Sequence, residues 1–358
     1  MSQASKRFRH GLVVGKFCPL HRGHMALIDA AVAACDDVLV LSYTKPGFAG
    51  CERALREAWL AALYPDVRRL VLDEEMLPAL CRERGIVLLP FPDNDAPDAV
   101  QRRFASWLCW DLCDVAPDAV FTSEDYGDGF AAALGDYLGE RSGRPHRVAH
   151  VCLDPARTRI PVSGTAVRRD PHAHREFLDP RVYASFVERI CLLGGESSGK
   201  TTLAAALAER LETAWVPEVG RARWEEQGGR LVYADMRAIA VDQLALEDRL
   251  AQQARRWLVC DSSALTTVFY SRHDYGAVDP LVRELALRPY AHTFVCAPDF
   301  PFVQDGTRRD AAFRDRQHRW YLDRLERAGI PYTLLHGPLE ARIGQALALL
   351  QQADRAIR

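Results

Sequence analysis

Two glycine-framed segments of this 358-residue chain carry residue types suited to phosphate, and they are of different kinds. In Gly15-Lys16-Phe17-Cys18-Pro19-Leu20-His21-Arg22-Gly23-His24, two histidines stand three apart where a helix-like run begins. At that spacing both rings can point the same way. Gly15 and Gly23 let backbone approach closely, and Pro19 sharpens the turn. Two imidazoles beside helix N–H groups form a pocket for a triphosphate or a departing pyrophosphate. The chemistry suited to that pocket is nucleotidyl transfer, in which a phosphate oxygen attacks the α-phosphorus of ATP. Such a step needs alignment and charge stabilisation rather than a protein nucleophile. His21 and His24 are the catalytic candidates, with Gly15, Lys16 and Phe17 against the nucleotide.

A second piece of the same chemistry lies at Pro161-Val162-Ser163-Gly164-Thr165-Ala166-Val167-Arg168. Ser163, the Thr165 hydroxyl and the backbone N–H groups of a starting helix can hold phosphate oxygens, and Arg168 adds charge.

The second cradle is Gly194-Gly195-Glu196-Ser197-Ser198-Gly199-Lys200-Thr201, followed by Thr202. It fits Gly-x-x-x-x-Gly-Lys-[Ser/Thr] with a strand-like run before and a helix-like run after. Its backbone N–H groups wrap phosphates, Lys200 reaches the β/γ oxygens and Thr201 can ligate Mg²⁺. Asp261, ending the run Trp257–Cys260, sits where such a fold places its second metal-organising carboxylate. Glu218, after Trp215-Val216-Pro217, is the candidate to hold a ribose or accept a hydroxyl proton. In Asp305-Gly306-Thr307-Arg308-Arg309, Arg308 is expected to close over the triphosphate. Arg309 and Arg314 are expected to be solvated.

These segments need rigid elements behind them. From Gly11, strand-like and helix-like patterns alternate: strands at 12–14, 38–43, 67–72, 86–89, 119–122 and 148–153, helices at 25–34, 51–63 and 100–113. The pattern restarts with strands at 189–193, 214–216, 257–260, 293–296 and 332–335, and helices at 200–211, 234–255, 317–328 and 339–356. This alternation predicts an α/β chain of two parallel-sheet domains with ligands at the carboxyl ends of strands. The expected division is a flexible tail over 1–10, one domain over 11–185 and another over 186–358, the boundary falling near Pro180.

Composition narrows the function classes. Forty-six basic against 48 acidic residues give a net charge of −2, which argues against a nucleic-acid binder. Ten scattered cysteines form no Cys-x-x-Cys pair, so buried thiols in a reducing compartment are expected. The polar start offers no apolar leader and no run reaches the length of a membrane span. A cytoplasmic setting follows, with the oligomeric state, including a homo-oligomer, left open.

The motifs together resemble known families. His-x-Gly-His with Ser-Gly-Thr-x-x-Arg is similar to the nucleotidylyltransferase superfamily. More narrowly, Gly-Lys-Phe-x-Pro-x-His-x-Gly-His resembles NadR-type nicotinamide mononucleotide adenylyltransferases, as does Phe121-Thr122-Ser123-Glu124-Asp125-Tyr126. The segments Gly194–Leu203, Val216-Pro217-Glu218 and Pro298 to Arg308 resemble the ribosylnicotinamide kinase half of the same family. The resemblance implies a Rossmann-like nucleotidylyltransferase domain followed by a P-loop kinase domain, with Lys16 neutralising phosphate charge. It implies nicotinamide riboside, nicotinamide mononucleotide, ATP and NAD as small-molecule partners, and Mg²⁺ as cofactor. Three departures stand out: only about ten residues precede the first strand, where regulatory members carry a DNA-binding domain; Phe302 stands where tryptophan is expected; Cys18 replaces an aromatic residue. The alternatives are a nucleotide-sensing regulator of uptake or transcription with little turnover, and a transferase and kinase pair acting on another phosphorylated metabolite.

Overall fold

Short apolar strands, buried on both faces, organise each half of the molecule. The computed structural model describes residues 6–357 apart from 125, 157 and 307. Asp125 and Thr307 of the segments above, and residues 1–5 of the expected tail, therefore lie outside the described residues. The chain divides into two compact units, one up to Ser185 and one from Phe186.

In the first unit, β1 (Phe8–Val14), β2 (Cys35–Tyr43), β3 (Arg68–Leu72), β4 (Ala119–Thr122) and β5 (Ala149–Cys152) form one sheet in the order β3-β2-β1-β4-β5. All neighbours are parallel. Leu12, Leu39 and Val120 carry the sheet side of a core that Phe104, Leu108 and Leu134 complete from helices. Burying each such side chain is worth about 1.5–3 kcal/mol. The chain runs outward from β1 to β3, then returns to β4 on the other side of β1, which opens a crevice at the carboxyl ends of β1 and β4.

In the second unit, β6 (Glu188–Leu193), β7 (Trp215–Val216), β8 (Trp257–Asp261), β9 (His292–Cys296) and β10 (Thr333–Leu335) form a parallel sheet in the order β10-β9-β6-β8-β7. Ile190, Val259 and Phe294 meet Leu203, Leu207 and Ile343 of two helices in its core. Here β6 is central, and its loop opens between β8 and β9.

Several expectations need correction. The strand starts at Phe8, with Phe8 opposite Cys35 and His10 opposite Asp37, so the tail is shorter than residues 1–10. Residues 86–89 form no strand: Gly85 ends the helix Met76–Arg84 in the left-handed region, and Val87 is 82% exposed. The helix expected over 100–113 runs as an α-helix over Asp98–Trp107 and then loosens into a π-turn over Leu108–Leu112. Helices Gly127–Ser142, Val219–Glu226, Ala264–Tyr275 and Pro280–Leu285 went unread in the sequence. Nine cysteines are buried as expected, but Cys152 is exposed. Among the described residues no helix is long and apolar enough to cross a membrane.

Candidate functional site

The first cradle hangs on β1 and the helix Arg22–Ala34. His21 is the N-cap: its Nδ1 accepts from the His24 backbone N–H at 3.4 Å, and the His24 Nδ1 accepts from the His21 N–H at 3.5 Å. Contacts this long orient rather than bind. They stack the rings 3.7 Å apart, tilted by 17°. A ring whose Nδ1 accepts is left to donate through Nε2–H. Phe17 meets the His24 ring edge-on at 4.9 Å and is wholly buried. That corrects its expected place against the nucleotide: it fixes the ring from behind.

Across the opening, Ser163 caps the helix Gly164–Arg169, its Oγ accepting from the Ala166 N–H at 3.2 Å. Arg168 donates to the Cys18 carbonyl at 2.6 Å and to the Thr165 hydroxyl at 3.0 Å, and lies 4.2 Å over the Phe48 ring. The two loops approach so closely that a Cβ on Gly164 would stand 3.2 Å from the Cys18 carbonyl oxygen. A cavity of about 600 Å³ results, walled by Gly15, Lys16, His21, His24, Ser163, Thr165 and Arg168. Lys16 donates to the Asn94 carbonyl at 3.1 Å. Lost hydration, and then the Arg168 charge, hold its ammonium below the usual lysine range. Glu124 and Tyr126 reach the same cavity, as do Tyr43, Asn94, Gln101 and Arg102, which no motif announced.

The second cradle begins at β6. Gly194 takes φ 144°, Ser197 φ 54° and Gly199 φ 81°, curling the loop, and the Glu196 N–H donates to Gln317 Oε1 at 2.9 Å. A Cβ on Gly195 would stand 2.5 Å from the Arg314 carbonyl oxygen, so only glycine fits. Lys200 folds back to donate to the carbonyls of Gly194 and Gly195 at 3.0 and 3.1 Å. The Thr201 hydroxyl donates to Asp261 Oδ2 at 2.6 Å, while Asp261 Oδ1 is buried and makes no hydrogen bond. Burial raises the Asp261 carboxyl above the usual range, and the Lys200 charge moderates the effect. Among the described residues no cluster of three or more His, Cys, Asp and Glu side chains could hold a metal ion. A threonine hydroxyl and one carboxylate with an open oxygen suit Mg²⁺ that takes its other ligands from phosphates and water.

Beside this loop a cavity of about 540 Å³ is walled by Glu196, Lys200, Glu218 and Arg308, with Trp224 and Tyr270 among its aromatic faces. Thr202 is exposed outside that wall. Burial raises the Glu218 carboxyl, again moderated by Lys200. Glu196 accepts from the Tyr270 hydroxyl at 2.9 Å and the Arg309 N–H at 2.7 Å. Arg308 pairs with Asp305 at 3.0 Å and touches the Ser197 hydroxyl at 3.4 Å. Arg309 is exposed as expected, whereas Arg314 is not solvated. Arg309 pairs with Asp274 at 2.6 Å on the cavity wall, and Arg314 is buried with its guanidinium on the Phe300 carbonyl at 2.9 Å. Arg342 was missed: buried, it donates to the Ser198 carbonyl at 2.8 Å and the Ala297 carbonyl at 2.7 Å and braces the loop from below. A lone arginine on the apolar face of the helix Leu339–Ile357 was the available signal.

Comparison with known proteins agrees with both halves. A family model described as an AAA domain matches residues 189–342. The trifunctional NAD biosynthesis/regulator protein NadR of Escherichia coli (strain K12) is 28% identical over 322 residues, covering 86% of this chain and 73% of that protein. A crystal structure of a NadR protein in complex with NR superposes with a TM-score of 0.67 at 21% identity, over 98% of this chain and 97% of the other. A second, in complex with NAD and AMP-PNP, gives 0.68 at 19% identity, over 96% of each. The chain is a homologue of the NadR proteins and shares their fold across both units.

Proposed function

We propose that the chain is a bifunctional NAD salvage enzyme: the second unit phosphorylates nicotinamide riboside with ATP, and the first adenylylates the resulting mononucleotide to NAD, releasing pyrophosphate. One observation carries the reading. In each unit the helix that follows the central strand aims its N-terminus at a cavity of nucleotide size, and a second segment brings an arginine, Arg168 or Arg308, to the same cavity. The similarity to NadR, with solved relatives bound to NR, NAD and AMP-PNP, supports the choice of substrates.

In the first unit a mononucleotide phosphate oxygen attacks the α-phosphorus of ATP, and the bond to the bridging oxygen of pyrophosphate breaks. The Nε2–H groups of His21 and His24, with Lys16 and Arg168, meet the charge that grows on the leaving group. Ser163 and Thr165 hold phosphate oxygens. In the second unit the 5′-hydroxyl of the riboside attacks the γ-phosphorus and ADP leaves. Glu218, its carboxyl raised by burial above the usual carboxylate range, takes the hydroxyl proton. Lys200 and Arg308 offset charge on the transferred group, and backbone N–H groups of the loop Gly194–Gly199 seat the phosphates. Thr201 and Asp261 would hold Mg²⁺, which would supply charge neutralisation for the phosphates. Buried thiols support a reducing, cytoplasmic setting.

The test is direct. Purified protein with nicotinamide riboside, ATP and Mg²⁺ is followed by chromatography, and mononucleotide should rise first with NAD after it. A protein that binds these nucleotides tightly and turns over neither would be the sensing regulator instead.

A further inference from the structure

Glu218 stands where the second sheet has stopped supporting the chain. Strand β7 is an edge strand, and its last pairing is Val216 with Cys260. Pro217 has no N–H to offer, and Glu218 is the N-cap of the helix Val219–Glu226. An N-cap side chain ordinarily accepts from N–H groups of the first turn. Ser263, Asp279 and Asp310 do so at the starts of three other helices of this unit. Glu218 does not: its carboxylate makes no capping hydrogen bond and walls the cavity instead.

Gln243 takes its place. It comes from the helix Tyr233–Ala251 and is 3% exposed. Its Oε1 accepts from the Val219 N–H at 2.9 Å, and its Nε2 donates to the Pro217 carbonyl at 3.4 Å. A backbone N–H can only donate, so the amide oxygen must face Val219, which leaves the NH₂ group for Pro217. One buried side chain thereby holds both peptide groups that flank Glu218, across 24 and 26 residues of sequence. The shorter contact also satisfies one of the donors that a helix start leaves without an intrahelical partner.

We propose that Gln243 is a positioning residue for phosphoryl transfer: it supplies the cap that Glu218 withholds, and so keeps the Glu218 carboxylate turned to the acceptor hydroxyl. Without the amide, the Val219 N–H and the Pro217 carbonyl lose their partner, and the turn they frame is free to shift. The carboxylate then has an alternative in the first turn of its own helix, where Gly220 and Arg221 offer N–H groups and the helix dipole favours negative charge. A carboxylate used as the cap is drawn away from the hydroxyl, and a displacement of about 1 Å can cost about a hundredfold in a positioned reaction. ATP, seated by the loop Gly194–Gly199 and by Lys200, is held without this contact. The effect on turnover rests on the function proposed above; the placement of the carboxylate does not.

Gln243→Met keeps the volume and removes both hydrogen bonds. Kinase kcat should fall by about tenfold to a hundredfold, with the KM for ATP and the rate of adenylyl transfer unchanged. In a Glu218→Gln background the same change should cost no further turnover, because the group it positions is already gone. Equal fold losses in the two backgrounds would overturn the proposal, since Gln243 would then act independently of Glu218. Gln243→Asn keeps the amide but is too short to reach both peptide groups; it should lower kcat in the same direction, and it serves if the Met variant does not fold. The carboxylate is also read without turnover. A crystal structure of Gln243→Asn should show Glu218 accepting from the Gly220 or Arg221 N–H, and a carboxylate still on the cavity wall would overturn the proposal in an active or an inactive enzyme. A carboxylate that moves as expected in a protein that never phosphorylates nicotinamide riboside would refute the proposed function alone.

Discussion

The two cradles solve the same problem with opposite electrostatics. In the first unit the helix end is capped by imidazole rings, and the fixed cations, Lys16 and Arg168, come from the loop and from a second helix. In the second unit the cation sits on the helix itself, turned onto the carbonyls of Gly194 and Gly195, and acids lie close behind it: Asp261 bonded to Thr201, and Glu218 on the cavity wall. The difference teaches where each unit stores its affinity for phosphate. The first relies on donors already aimed into a cavity. The second holds a lysine on internal acceptors, which incoming phosphate oxygens must replace.

The sharpest way to break that contrast is to remove one charged or donor group from each side. Lys200→Ala deletes the cation at the helix start of the second loop and should lower kinase kcat/KM by about a thousandfold. NAD formation from supplied mononucleotide should stay intact. His24→Ala should do the reverse, lowering adenylyl transfer by roughly a hundredfold to a thousandfold. Steady-state assays of each half-reaction read both. A kinase indifferent to Lys200, or adenylyl transfer indifferent to His24, removes the assignment for that unit.

Asp261→Asn probes the acid that has no counterpart in the first cradle's cap. It keeps shape and hydrogen bonding to Thr201 while losing charge, so the kinase should slow by about a hundredfold. Its Mg²⁺ requirement should shift to higher concentration. Titration of rate against Mg²⁺ decides the point: an unchanged half-saturating concentration would mean that Asp261 only braces Thr201.

The sequence showed the cradles because each is a contiguous loop between two regular elements, and local spacing is what sequence reports well. Gly194–Thr201 and the segment around His21 and His24 are of this kind. What it hid depends on distant chain. Arg342 reaches the phosphate loop across 144 residues, and Asn94 reaches Lys16 across 78. Phe17 reads as a ligand neighbour from its place in the motif, yet packing turns it inward against His24. The helix Gly127–Ser142 contains four glycines, at 127, 129, 135 and 139, and so lacks helix propensity. Contacts explain two of them: a Cβ at Gly127 would overlap His150, and one at Gly135 would stand 2.8 Å from the His146 carbonyl oxygen. The short run at 86–89 shows the converse, an apolar stretch that pairs with no strand and leaves Val87 exposed.

Two glycines sharpen the comparison at lower amplitude. Gly195→Ala forces backbone against the Arg314 carbonyl at 2.5 Å, which neither side can relieve by turning a side chain. It should cost about 1–3 kcal/mol of stability and lower kinase activity together with it. Gly164→Ala meets the Cys18 carbonyl at 3.2 Å and the Arg168 Nη1 at 3.1 Å, a milder conflict. Its effect should fall on the KM for ATP in adenylyl transfer, by about tenfold, with little change in melting temperature. Equal losses of stability in the two variants would erase the distinction between a loop locked by backbone and one held by a movable arginine.

The smallest effect is one of sign. Burial raises the Glu218 and Asp261 carboxyls in the folded second unit, with Lys200 only partly offsetting it. On unfolding both carboxyls return to ordinary values, so between the unfolded and folded pKa the native state holds more protons, and stability falls as pH rises through that window. Above the window the cost is constant and fully present. Glu218→Gln removes the buried charge, so it should raise the melting temperature of the second unit near neutral pH and gain nothing below the unfolded carboxylate value. The same change should slow the kinase and abolish the acidic limb of its pH profile that Glu218 contributes. Adenylyl transfer should follow its original profile throughout. A variant that loses stability at neutral pH would show that the Lys200 attraction outweighs burial, and that the second cradle, like the first, is built from contacts that stabilise the fold.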